Sequence, residues 1–219
     1  MPFGSNKNKG NSKKAYAFKI RQKDAPSPYF EVKERSEDGK WSLVQSSEPV
    51  NNLLGDLVAI ETKENEYNGE MIKSVNMTFE TPDEVYFLTV NSSFLGRNLL
   101  NSVLNLSDYS NVNISLYMSK PKEEGGRSYP SVAVRQNDEL VIGKYKYTDL
   151  PKPDETTFKG KLLKDYSKQE DLLRSEVDKI EEKVKNFGKS RREQEPVTQS
   201  SGPNDSGVPD QYDTEDVPF

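Results

Sequence analysis

The sequence predicts a mainly β protein: a small barrel or sandwich with one inserted helix, then a C-terminal helix, with disordered termini. Three observations carry that prediction. Apolar and polar residues alternate over many short segments, the spacing of half-buried strands. Clusters of Gly, Pro, Asn, Asp and Ser separate those segments at short intervals. Both ends lose periodicity and become rich in polar residues, as disordered chain does.

The elements follow in order. Residues 1–12 are mostly Gly, Asn, Ser and Lys and read as a flexible basic arm. Tyr16, Phe18 and Ile20 then alternate with Ala15, Ala17, Lys19 and Arg21, the first strand. Residues 29–34 form a second strand, and a turn at Glu37, Asp38 and Gly39 returns the chain through Trp41 and Val44 as a hairpin. Residues 57–62 make the next strand, with a turn at 66–69. Met71, Lys73, Val75, Met77 and Phe79 alternate with Ile72, Ser74, Asn76 and Thr78, and residues 85–90 follow after a Pro-Asp turn. Leu95, Leu99, Leu100, Val103 and Leu104 sit at helical spacing behind a Ser92 or Ser93 cap, so one helix interrupts the strands. Val112, Ile114, Leu116 and Met118 resume period two. Val132, Val134 and residues 140–142 complete the strands after a charged loop at 120–126. Prolines 151 and 153 break the sheet. Leu173, Val177, Ile180, Val184 and Phe187 then form the apolar seam of a helix, which either docks on the β body or pairs with a second copy. The division is therefore a basic arm at 1–12, a β domain at 13–149, a linker and amphipathic helix at 150–187, and a tail at 188–219.

Composition narrows the function. Hydrophobic residues are 32% and charged residues 31%, which describes a core diluted by polar extensions. The chain has no cysteine and no histidine, which removes disulfides, thiolate chemistry and the commonest general base and metal ligand. No phosphate-binding glycine loop and no nucleophile elbow occurs. The expectation is a protein that is not an enzyme and needs no cofactor or metal. The acidic groups Glu61, Glu64, Glu66 and Glu123, Glu124 read as solvated loop charge rather than a metal site. With no long apolar run and no leader, the expected location is the cytoplasm, away from membranes.

Net charge is −5, but it is unevenly spread. Seven cations and no acid lie within residues 1–23. Residues 188–219 carry seven acids against three cations, a net −4. That tail ends in Asp213, Glu215 and Asp216 followed by Val217, Pro218 and Phe219. An aromatic ring fills an apolar pocket, a terminal carboxylate pairs with a cation beside it, and upstream acids reach a basic rim. A solubility tail would gain nothing from an exposed phenylalanine.

Here the chain resembles bacterial single-stranded DNA-binding proteins and their phage counterparts, which end in a polar linker and an acidic tip finishing in Phe. The resemblance rests on EPVTQSSGPNDSGVPDQYDTEDVPF and covers the terminal segment. The upstream region matches in class only, with a longer helix and more strands than the standard bacterial protein. The resemblance implies an OB-fold-like β-barrel body, sequence-independent binding of single-stranded DNA, and recruitment of replication and repair proteins by the tip.

Single-strand binders combine a basic groove with aromatic platforms. The candidate contacts are Lys14, Lys19, Arg21, Lys33, Trp41, Tyr117, Arg127, Tyr129, Arg135, Lys144 and Lys146. Tyr117 shares a strand face with Asn113 and Ser115. Tyr129 shares one with Arg127, Ser131 and Arg135, opposite Val132 and Val134. Stacking platforms accept either sugar, so RNA is a second ligand class. The alternative function is a replisome accessory module with no nucleic-acid affinity of its own. Either a monomer or a dimer fits.

Overall fold

The computed structural model describes residues 13–21, 27–46, 48–67, 69–121 and 126–194. The arm at 1–12 and residues 195–219, including the Phe-ended tip, lie outside the described residues. The elements are β1 (Lys14–Arg21), β2 (Tyr29–Arg35), β3 (Trp41–Leu43), β4 (Asn52–Tyr67), β5 (Glu70–Glu80) and β6 (Glu84–Asn91). They continue with α1 (Phe94–Val103), β7 (Val112–Met118), β8 (Pro130–Gln136), β9 (Glu139–Leu140), β10 (Asp154–Phe158), β11 (Lys161–Asp165) and α2 (Ser167–Gln194).

The protein is mainly β. Nine strands form one mixed sheet in the order β3-β2-β1-β6-β5-β4-β7-β8-β9. Neighbours are antiparallel except β1 and β6, which run parallel. The expected barrel closure does not occur, because β3 and β9 end the sheet without pairing to each other. The nearest approach to closure is a single bridge between Phe30 of β2 and Val50, whose carbonyl accepts the Phe30 N–H at 2.7 Å. Pro49 precedes that bridge and has no N–H with which to extend a ladder.

β4 organises the sheet. The sequence marks only its middle, residues 57–62, because the polar residues that follow show no alternation and lead into the turn read at 66–69. Its first residues, Asn52 to Gly55, pair with β7; from Asp56 onward it pairs with β5. A bulge at Val58, between Leu57 and Ala59, lies just inside the β5 pairing and bends the strand. Glu61, Glu64 and Glu66 therefore sit on a strand, not in a loop. Glu61 pairs with Lys63 at 3.5 Å and Glu64 with Lys73 at 3.4 Å.

Register sorts the side chains into two faces. The first carries Phe18, Phe30, Val32, Met77, Phe79, Leu88, Leu57, Ile60, Ile114, Leu116 and Val134, all buried. Both helices cover it. α1 inserts Leu95, Leu99, Leu100 and Val103, and Ser93 caps it by accepting the Gly96 N–H at 2.9 Å. α2 buries Leu173, Val177 and Val184 in the same core. Its seam packs against the sheet.

Gly188, the expected end of α2, lies inside it. A Cβ there would sit 2.5 Å from the Val58 carbonyl oxygen, so the glycine lets the helix close on the bulge of β4. Polar contacts reinforce the docking. Thr62 donates to Asp178 at 2.7 Å, Arg191 pairs with Asp56 at 2.7 Å, and Arg192 pairs with Glu80. Near the other end Arg97 of α1 pairs with Glu170 at 2.9 Å and stacks over Tyr166.

Candidate nucleic-acid interface

Among the described residues no helix lies on the second face of the sheet, and register places most of the predicted contacts there. In its β7–β8 half, Tyr117 lies opposite Ser131, Ser115 opposite Ala133, and Asn113 opposite Arg135. Asn52 and Leu54 of β4 extend this surface on one side and Leu140 of β9 on the other. Tyr117 is 43% exposed and Tyr129 60%, while Leu54 and Leu140 are also open. No residue at these positions is acidic. Among the described residues neither Arg127 nor Arg135 forms an ion pair. Small polar side chains bond along it: Ser115 donates to Asn52 at 2.6 Å, and Ser119 accepts the Tyr129 N–H at 3.0 Å. Rings standing among neutral polar groups and arginines offer stacking platforms with cations beside them.

The β1–β2–β3–β6 half of the same face is different. Register places Lys19, Arg21, Glu31, Lys33, Arg35, Trp41, Phe87 and Thr89 together. Arg21 grips Glu31 with two hydrogen bonds, 2.9 and 3.1 Å, which is the bidentate fork of guanidinium and carboxylate. The Lys19 ammonium sits below its ordinary pKa. Partial burial is the main cause; Arg21 and Lys33 add repulsion, and Glu31 opposes them. Such crowding of like charge marks a locally positive field. The same parity continues onto β5, where Asn76 accepts from Thr89 at 3.1 Å, and onto Glu61 and Lys63 of β4, which pair with each other.

Trp41 is not the open platform that its position beside Lys40 implies. Its ring meets Phe87 edge-on at 6.2 Å between centroids, joining Ala15 and Val85 in a small second apolar cluster. The Arg35 guanidinium lies 5.9 Å from the ring, and the indole N–H is buried without an acceptor. Half of this surface therefore supplies cations and has the Trp41 ring committed to packing.

Three of the predicted contacts do not join either half. Lys14 has the parity of the core face, opposite Glu84 at the start of β1. Lys144 lies in the segment that runs from β9 along α2, where it and Lys179 both bind Glu176 and hold that carboxyl down at about 2. Lys146 is exposed on the same segment, two residues beyond. Conversely, Lys63, Asn76, Thr89 and Leu54 belong to the second face and escaped the sequence reading. For Asn76 and Thr89 the signal was available, since they alternate with Val75, Met77, Leu88 and Val90.

A groove of about 370 Å³ opens between β2, β3 and the segment leading to β4, lined by Tyr29, Phe30, Val32, Leu43, Val44 and Val50. Glu31 and Glu48 also line it, which disfavours an acidic occupant such as residues 213–219. Among the described residues no cluster of three or more acidic side chains is placed to hold a metal ion. No helix there is long and apolar enough to cross a membrane. Comparison of the chain with family models, with curated proteins and with solved structures finds no match.

Proposed function

We propose that this protein binds single-stranded DNA without sequence preference along the second face of its sheet, and that its acidic tail recruits replication and repair proteins. The observation that carries the reading is the surface around Tyr117, Ser115, Asn113 and Arg135, where no position is acidic and where Tyr129 stands exposed at the edge, on a chain whose net charge is negative. A surface left free of carboxylates on an acidic protein fits a polyanion. Lys19, Lys33 and Arg35 extend the positive field across the sheet. In this reading the body is a variant of the OB type, which is itself a partly open Greek-key barrel that binds oligonucleotides on its strands. Here β4 is the long bent strand shared by two half-sheets.

The tail supplies the second activity. Asp213, Glu215 and Asp216 form a short acidic polymer tethered to a basic surface, so they compete weakly with DNA at low salt. DNA binding frees Val217, Pro218 and Phe219 for partners. The protein works without a cofactor and catalyses nothing.

The test is titration of fluorescent oligo-dT, with duplex of equal length as control. The reading expects much tighter binding to the single strand, weakened by salt. Equal affinity for duplex, or no affinity for oligo-dT at low salt, leaves the accessory-module alternative in its place.

A further inference from the structure

β10 and β11 form a hairpin that stands apart from the main sheet. Every residue of both strands is exposed, including Phe158 at 61%, Leu162 at 57% and Leu163 at 50%. Lys159 and Gly160, both at positive φ, make the tight two-residue turn. A lone two-stranded hairpin is marginal in water, and this one leaves both edges and its leucines uncovered.

We infer that β11 pairs with β11 of a second copy of this chain, antiparallel and centred on Leu163, to give a four-stranded sheet. The hairpin's own register fixes the geometry. Phe158 and Lys161 flank a two-residue turn and so form a hydrogen-bonded pair; Thr156 and Leu163 form the next. The backbone groups of Leu162 and Lys164 therefore point away from β10, toward the open edge. A two-fold centre at Leu163 sets Leu162 against the second copy's Lys164, and Lys164 against its Leu162. All four outward groups on each strand then find partners.

The side chains agree with that register. Leu163 faces its own symmetry mate at a non-hydrogen-bonded site, where Cα atoms approach to about 4.5 Å. Lys161, which has no ion pair among the described residues, faces Asp165 of the second copy, and the reverse pair forms by symmetry. Edge lysines ordinarily deter strand pairing. Here Lys161 is answered by a carboxylate, and Lys164 is already neutralised by Glu155 at 3.2 Å. Moving the centre by one residue destroys this match: at Lys164 it opposes like charges, and at Leu162 it leaves Asp165 without a facing residue in the strand. The β10 edge offers no equivalent, since Asp154 would face Phe158. Five residues make a small interface, so the dimer is weak and depends on concentration. Pairing of this kind needs no nucleic acid.

Absence of cysteine from the chain provides a clean probe. Sedimentation velocity of the full chain over a concentration series should show reversible dimerisation, and Lys161→Glu, which sets Glu against Asp165, should abolish it. Under mild oxidation Leu163→Cys should form an interchain disulfide readily, because facing residues at such a site lie within disulfide reach; Leu162→Cys, which faces Lys164, should not. A chain that stays monomeric throughout overturns the inference, as does a dimer indifferent to Lys161→Glu or equal cross-linking at both cysteines. Loss of oligo-dT affinity in Lys159→Ala/Lys161→Ala, with the wild type monomeric, would make the hairpin a nucleic-acid arm instead.

Discussion

The two halves of the second face use the same residue types for different ends. In the β1–β2–β3–β6 half, Trp41 packs on Phe87 and the cations Lys19, Arg21, Lys33 and Arg35 crowd around the ring and one another. In the β7–β8 half, Tyr117 and Tyr129 stand open among serines and asparagines with Arg135 between strands. One half supplies field and the other supplies rings. The difference teaches that an aromatic residue near a cation is a stacking platform only when no hydrophobic partner claims it.

That contrast yields effects of graded size. The halves diverge at the bend of β4, which α2 clamps through Gly188. A helix glycine replaced by alanine ordinarily gains about 1 kcal/mol. Gly188→Ala should instead lose about 2–3 kcal/mol, because its Cβ meets the Val58 carbonyl and pushes the helix outward. Chemical denaturation reads this directly, and a stabilised variant would show that α2 does not hold the bend.

Trp41→Ala should cost about 2 kcal/mol of stability, reduced from the usual burial value because the ring is half-exposed and its indole N–H lacks an acceptor. Its affinity for oligo-dT, measured where the variant is folded, should match the wild type. Weakened binding at full stability would make Trp41 a platform after all and erase the contrast between the halves. A smaller effect is expected from Lys19→Ala/Lys33→Ala. Each lost phosphate contact should lower the slope of log affinity against log salt by about 0.7, leaving the binding of different sequences equally affected. An unchanged slope would place the DNA away from this half.

Much of this was legible in the sequence, and the exceptions share a cause. Period two located β1, β5 and β7 and assigned Tyr117, Ser115 and Asn113 to one face. Helical spacing located α1 and its Ser93 cap. These signals are local. The partners of Trp41 and Lys144 were not legible because Phe87 and Glu176 are brought to them only by the pairing of distant elements. Gly188 read as a stop because helix glycines usually end a helix; its reason is a close approach to a bulge more than a hundred residues earlier. The β10–β11 hairpin was missed although Lys159-Gly160 between Thr-Thr-Phe and Leu-Leu is a hairpin signal. Closure of the sheet failed as an expectation because strand alternation fixes faces and leaves edge pairing open.

The central claim is that single strands stack on the β7–β8 half. It is tested most directly by titrating fluorescent oligo-dT with the wild type and with Tyr117→Ala/Tyr129→Ala, after circular dichroism and denaturation show both equally folded. Each ring that stacks on a base contributes about 1–3 kcal/mol, so the double variant should bind at least about tenfold more weakly while keeping its salt slope. Affinity equal to that of the wild type would contradict the account.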